Sequence, residues 1–328
     1  MSLLRIDQLS LSYGDAEALR DVSLALGPGE SLGLVGESGS GKTTLALALL
    51  RLLPRAARIT GGGVGFDGAD LLALPTEALR RRRWVDLAYV PQGAMNALDP
   101  VRDLAHQFDL TWRAHRTGAL ERRAAELFAR VGLEERWLGH FPHEFSGGMR
   151  QRATIALSLL FKPKLLVADE PTTGLDVLVQ RQLLGLLREA KAERGMALIF
   201  VSHDIAVVSE LCERIAVLYA GQIVETGRTA DVLARPAHPY SMGLRRSVPD
   251  IREPSRRIVS IEGAPPSLAP PPPGCAFAAR CPFAEPRCAF ERPPLAAAEG
   301  RLVLCHRAAE RDALWREAQD EEVWSNAG

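Results

Sequence analysis

The sequence is organised around Gly36-Glu37-Ser38-Gly39-Ser40-Gly41-Lys42-Thr43, a complete G-x-x-x-x-G-K-[ST] phosphate loop. Before it, the apolar run Leu32 to Val35 reads as a buried strand; after it, Thr44 to Leu50 reads as a helix. Strand, glycine-rich turn and helix in that order point to an α/β fold in which backbone N–H groups and the positive end of a helix face anionic oxygens. Gly36, Gly39 and Gly41 let the backbone close around a polyphosphate. Lys42 then belongs on the β- and γ-phosphates, and the Thr43 hydroxyl on Mg²⁺. These residues imply a nucleoside triphosphate ligand.

With 328 residues, 47% of them hydrophobic, the chain is long enough for one large domain and a smaller one. Lys+Arg and Asp+Glu number 40 each, so charge gives no reason to expect a nucleic-acid or membrane-surface protein. The run Arg80-Arg81-Arg82-Arg83 lies among helix-forming residues and reads as a solvated face. No apolar stretch approaches bilayer-spanning length, and Met1 to Asp7 lacks the charged start and apolar block of a secretion signal. The expectation is a soluble, cytosolic chain that reaches a membrane only through another subunit.

In chain order, Leu3–Leu9, Ser10–Tyr13, Val22–Leu26 and Ser31–Val35 read as short strands separated by Gly14, Gly27, Pro28 and Gly29. Tyr13 either stacks on a nucleotide base or packs at a strand end. A helix over 43–53 stops at Pro54, and Gly61-Gly62-Gly63 followed by Val64 to Gly68 suggests a hairpin-like return. A helix begins at Pro75. Val85–Val90 alternates like a strand that ends at Pro91-Gln92, whose amide can reach a metal or a water.

Residues 101–137 turn helical: Leu120, Ala124, Leu127, Phe128 and Val131 form one apolar stripe, marking a helical insertion. Ser146-Gly147-Gly148 then opens a helix, either as an ordinary N-cap turn or as a second set of anion-facing donors. Lys164 to Glu170 is a buried strand ending in two carboxylates. Beside a phosphate loop, Asp169 would order the Mg²⁺ shell and Glu170 would orient and polarise the attacking water. The strand Ala197–Val201 leads to His203, which can hydrogen-bond a γ-phosphate.

Gly36 to Thr43, Gln92, Phe145-Ser146-Gly147-Gly148, Leu165 to Glu170, Gly174-Leu175-Asp176 and His203 together resemble the six signatures of an ABC-transporter ATPase subunit, over residues 1 to about 235. The resemblance implies an ABC-type phosphate-loop NTPase fold. Its RecA-like core would carry an antiparallel β leader and a helical insertion at about 94–152. It also implies base stacking by Tyr13 and a dimer in which Ser146, Gly147 and Gly148 of one cassette close over ATP held by residues 36 to Thr44 of the other, with Asp176 in the dimer loop. Met95 to Pro100, Phe145 to Arg152, Ala220 to Glu225 and His238-Pro239-Tyr240 narrow the likeness to the dipeptide/oligopeptide importer branch. Met149 and Gly174 depart from the usual Gln and Ala without removing a catalytic group. Met149 resembles the variant of one of two unlike subunits and implies a heterodimer. Implied partners are that second ATPase subunit, two transmembrane permease subunits and, indirectly, an extracytoplasmic substrate-binding protein, with no nucleic acid. The implied location is the cytoplasmic face of the inner membrane. Two other readings compete: an ABC ATPase acting on nucleic acid or ribosomes, and a redox-sensing module. A single phosphate loop without long heptads counts against the first, and Glu170 with His203 against the second.

Residues 236–328 read as a second unit. Pro265-Pro266 and Pro270 to Pro273 mark a stiff linker, and four of the five cysteines follow: Cys275, Cys281, Cys288 and Cys305. In a reducing compartment clustered cysteines point to metal more than to disulfides, yet the C-x-x-C pairs of zinc ribbons are missing. Four thiolates suit an iron–sulfur cluster or a structural zinc, and unligated thiols remain open. Gly274 to His306 also resembles the cysteine-bearing tail of peptide-importer ATPases, which implies a 4Fe–4S cluster.

Overall fold

The computed structural model describes residues 2–93, 97–116, 120, 122–248, 257–298 and 300–325; Met95 and Asn96, in the run quoted above, lie outside them, as do Pro249 and Pro254. The strands are β1 (Leu4–Tyr13), β2 (Ala16–Leu26), β3 (Ser31–Val35), β4 (Ala57–Phe66), β5 (Ala69–Asp70), β6 (Leu87–Val90), β7 (Leu165–Asp169), β8 (Ala197–Val201), β9 (Arg214–Tyr219), β10 (Gln222–Arg228), β11 (Leu295–Ala298) and β12 (Arg301–Leu304). The helices are α1 (Lys42–Leu49), α2 (Thr76–Arg82), α3 (Leu104–Arg113), α4 (Arg123–Arg130), α5 (Gly147–Ser158), α6 (Val177–Arg194), α7 (Ile205–Leu211), α8 (Thr229–Ala234), α9 (Pro239–Arg246), α10 (Arg311–Glu317) and α11 (Glu322–Ser325). The chain divides into two compact units, one of residues 1–4, 26–31 and 66–201, the other of 5–25, 32–65 and 202–328.

In the first unit β6, β7 and β8 run parallel, with Leu87 opposite Leu165 and Leu165 opposite Ala197. Every residue of β7 and β8 is buried, as continuous apolar runs in a parallel sheet require. The helical insertion holds α3, α4 and α5. Its apolar stripe starts at Ala124 rather than Leu120, because α4 begins at Arg123 and Leu120 precedes it outside any helix. Ala124, Leu127 and Phe128 bury one face of α4, and Phe128 meets Phe108 of α3 edge-on at 5.5 Å. Arg152 of α5 ties down the turn after α4 by donating to the carbonyls of Val131 and Gly132 at 3.1 and 3.0 Å.

The second unit replaces the four short N-terminal strands with a longer β1–β2 hairpin followed by β3. The polar breaks in pattern at Gln8 and Asp21 are absorbed as kinks with φ of 47° and 50°, where Ser23 and Ser10 hydroxyls accept their N–H groups at 2.9 and 3.0 Å. Nor does the chain turn back at Gly61-Gly62-Gly63: β4 runs straight through. Strand β1 approaches so closely that a Cβ on Gly62 would stand 2.4 Å from the Asp7 and Gln8 carbonyl oxygens, so the glycines permit contact instead of making a turn.

Here β2, β1 and β4 form one sheet in that order, and β11, β12, β10, β9 and β3 are neighbours in another. β3 pairs parallel with β9, and β12 adds antiparallel to β10, with Glu225 opposite Val303. The cysteine-bearing segment thus contributes two strands, β11 and β12, to the sheet that holds β10, β9 and β3. Met242, Phe283, Leu314 and Trp324 form a small core beside it. No helix among the described residues is long and apolar enough to cross a membrane.

Candidate functional site

The phosphate loop lies between β3 and α1 in the second unit. Gly41 is the N-cap of α1 at φ 104°, and a Cβ there would press on the Ala18 carbonyl of β2 at 2.9 Å. At Gly36 a Cβ would meet the Leu218 carbonyl at 2.2 Å, so the loop is seated against backbone on both sides. Lys42 is buried, and its Nζ donates to the carbonyls of Gly36 and Glu37 at 2.7 and 2.8 Å. Ser38 and Gly39 lie at the exposed face, Ser40 is buried, and Thr43 and Thr44 are half-buried in the first turn of α1. Tyr13 stands half-buried at the end of β1 in the same unit, and His203 is exposed just before α7.

In the first unit Asp169 ends β7 fully buried, and Tyr89 of the neighbouring strand donates its hydroxyl hydrogen to Oδ2 at 3.2 Å. Burial, and then the Asp169 charge, push the Tyr89 hydroxyl well above its ordinary range, which keeps it a donor. Glu170 follows at φ 47°, a left-handed conformation costly for a side-chain-bearing residue; its N–H donates to the Val201 carbonyl at 2.9 Å. Its Oε2 accepts from Thr173 Oγ1 at 3.1 Å and from Gln92 Nε2 at 3.5 Å. The structure therefore brings Gln92 to Glu170, two residues joined above only by motif order.

Ser146 caps α5, its Oγ accepting the Met149 N–H at 3.3 Å, and Gly147 and Gly148 form the first turn. A Cβ on Gly148 would touch Leu175 at 3.4 Å, so this loop and the Gly174-Leu175-Asp176 loop are neighbours. Asp176 Oδ1 accepts the N–H groups of Leu178 and Val179, each at 3.0 Å, and caps α6. Gln151, buried behind the Ser146 turn, donates to the Pro171 carbonyl. Tyr89, Thr173 and Gln151 escaped the sequence reading, since only strand register and loop closure reveal their partners.

In the second unit Cys275, Cys281, Cys288 and Cys305 line one small cavity with His238, Phe277, Phe283, His306 and Arg307. Burial first, reinforced by the neighbouring thiols, pushes Cys281 far up and Cys305 up to about 11, and Cys275 also rises. Among the described residues no three His, Cys, Asp or Glu side chains converge on a position for one metal ion. His238 is buried and held neutral, its pKa lowered to about 3 by desolvation, and its Nδ1 accepts the Tyr240 N–H at 3.0 Å. Glu225, also fully buried, accepts N–H groups from Ala237 and His238 at 3.0 and 2.9 Å.

Residues 19–173 match the family model described as ABC transporter. A putative peptide import ATP-binding protein of Brucella melitensis biotype 1 is 46% identical over 297 residues, 85% of this chain and 88% of that protein. This chain belongs to the ABC transporter ATP-binding family. The ABC subunit also matches the model for the oligopeptide/dipeptide transporter C-terminal region at residues 224–288, which places it in that branch. It is 44% identical to a probable peptide ABC transporter ATP-binding protein of Sinorhizobium fredii over 309 residues, 91% of this chain and 92% of that one. A solved dimeric ATP-binding cassette in a post-hydrolysis state with ADP and phosphate is 29% identical, with a TM-score of 0.63, covering 69% of this chain and 98% of that one. An ATP-binding subunit of an ABC transporter is 30% identical at a TM-score of 0.62, covering 74% and 95%. The expected α/β cassette fold is the fold found, and the subunit is an ABC ATPase.

Proposed function

We propose that this ABC subunit hydrolyses ATP to drive import of peptides through membrane permeases. The observation that carries the cargo class is the 46% identity to a peptide import ATP-binding protein, extending through the cassette and into the C-terminal region. In this reading Gly36 to Thr44 take the polyphosphate, with Lys42 on the β- and γ-phosphates and Thr43 on Mg²⁺. Asp169 orders the metal shell and Gln92 contributes to it. Glu170 polarises water, supported by its hydrogen bond from Thr173. His203 faces the γ-phosphate, Tyr13 the base, and Ser146, Gly147, Gly148 and Asp176 a second cassette. Met149 supports an unlike second ATPase subunit, and the assembly sits at the cytoplasmic face through two permeases that receive cargo from a substrate-binding protein.

The four thiols of the C-terminal cavity form the donor set for a 4Fe–4S cluster. What supports this reading is that all four line one cavity, and four thiolates are the usual protein ligands of such a cluster. A bound centre would hold the thiols ionised against the burial that otherwise keeps Cys275, Cys281 and Cys305 protonated. Its contribution would be structural or redox-sensing, away from hydrolysis.

The test is reconstitution of the subunit with its second ATPase partner, permeases and binding protein in proteoliposomes. ATP hydrolysis should rise when peptide-loaded binding protein is added, with labelled peptide accumulating inside. Stimulation by another solute class and by no peptide would overturn the cargo.

A further inference from the structure

Glu37, the second residue of the phosphate loop, is held at all three of its polar groups. Its carbonyl accepts from Lys42 Nζ at 2.8 Å, its N–H donates to the Tyr240 hydroxyl at 2.9 Å, and its carboxylate accepts a two-pronged contact from Arg280. Arg280 Nη1 reaches Oε2 at 2.9 Å and Nη2 reaches Oε1 at 3.1 Å. The guanidinium has five N–H donors, and each finds an acceptor. Besides Glu37, Nη1 donates to the Tyr219 hydroxyl at 3.1 Å, Nη2 to the Ile261 carbonyl at 3.0 Å and Nε to the Glu262 carbonyl at 2.9 Å. The Arg280 side chain is only 7% exposed, and it also lies over the rings of Tyr219 and Phe277. An arginine fixed by two backbone carbonyls and two rings is a rigid post, and the charge-paired fork aims Glu37 in one direction.

We propose that Arg280 is a positioning residue for ATP binding, supplied in cis by the cysteine-bearing segment, which holds the phosphate loop in shape through Glu37. It touches no nucleotide in this role. It restrains the backbone from which Lys42 is hung, so its removal lets the Glu37 carbonyl and the Lys42 ammonium drift from the geometry that receives a polyphosphate. Tyr240 provides the matching restraint on the Glu37 N–H, which gives the His238-Pro239-Tyr240 motif a task at the nucleotide end of the molecule. Because Arg280 directly precedes Cys281, the loop is tethered beside the thiol cavity.

The proposal rests on reading Gly36 to Thr43 as the ATP loop, and the experiment separates the two. In the purified full chain, the Kd of a fluorescent ATP analogue, kcat and KM for ATP, and Tm are measured for wild type, Arg280→Met, Arg280→Lys, Glu37→Gln, the Arg280→Met/Glu37→Gln double variant and Lys42→Ala. Arg280→Met is expected to raise Kd and KM about tenfold, the scale of losing a charge-assisted hydrogen-bonded pair, with kcat at saturation within about twofold. Arg280→Lys should recover part of the loss. Glu37→Gln, which leaves the Arg280 post in place, should weaken binding similarly, and the double variant should be no worse than Arg280→Met alone. Unchanged ATP affinity in Glu37→Gln, or additive losses in the double variant, would overturn the proposal. If Lys42→Ala retains wild-type affinity, the phosphate-loop reading itself fails; if Lys42→Ala loses affinity while Glu37→Gln does not, only the role of Arg280 fails.

Discussion

The hydroxyl of Tyr89 donates to Oδ2 of Asp169 across two parallel strands, at 3.2 Å, in a setting where the carboxylate is fully buried. Register explains the meeting: Tyr89 pairs with Val167, and Asp169, two residues further along β7, shares the face of Val167 at the strand end. Tyr89→Phe removes a hydrogen bond to a charged group, a loss of about 1.5–3 kcal/mol. The half-saturating Mg²⁺ concentration for ATP hydrolysis should rise by about tenfold or more, read from a Mg²⁺ titration at fixed ATP. An unchanged titration would show that Asp169 is oriented without Tyr89.

Glu170 has its own restraints, Thr173 and Gln92, and an unusual backbone conformation at φ 47°. Glu170→Gln keeps its size and the Thr173 contact but cannot polarise water. ATP turnover should fall roughly 10²–10⁴-fold while ATP affinity stays near wild type, as measured by single-turnover hydrolysis beside equilibrium binding. Turnover close to wild type would assign the base elsewhere.

The phosphate loop and the carboxylate-ended strand were legible because each is a local pattern: glycines and Lys42 within eight residues, four apolar residues and then Asp169 and Glu170. Arg280 was invisible because Glu37, its partner, lies 243 residues away, and a lone arginine beside a cysteine carries no periodic or spacing signal. Gly61 to Gly63 misled for the opposite reason. A glycine run predicts a turn by its conformational freedom, whereas here it serves the close approach of β1, which only tertiary packing discloses. Likewise β12 pairs with β10 after a proline-rich stretch that reads as a spacer.

His238 should make stability depend on pH in the acid range. Its folded pKa is lowered from 6.5 to about 3, so between those values the unfolded chain binds a proton that the folded chain refuses. The contribution is complete above pH 6.5 and is lost as pH falls toward 3, at up to about 1.4 kcal/mol per unit. Glu225, raised by burial, works with the opposite sign: its contribution is present below its ordinary value near 4.5 and lost as pH rises through the folded value. His238→Asn retains an N-cap acceptor for the Tyr240 N–H but has no proton to gain. Denaturant unfolding at pH 7.5 and 5.5 should show wild type losing about 1 kcal/mol more than His238→Asn over that interval; equal losses would remove His238 as the source.

Cys281 is the test residue for the thiol cavity, since it is among the most strongly shifted of the four and its backbone continues directly from Arg280. Without a metal its thiol is held protonated by burial, so a neutral serine hydroxyl in its place introduces no new charge into the cavity and should leave the surrounding fold intact. A bound cluster needs four ionised sulfurs, and a hydroxyl does not ionise in that setting. Protein purified without air should therefore carry iron with acid-labile sulfide and visible absorbance as wild type, and lose most of both in Cys281→Ser while its far-ultraviolet dichroism is unchanged. Iron and sulfide at wild-type levels in Cys281→Ser would exclude it as a ligand, and zinc in place of iron in the wild type would replace the cluster with a single-ion site.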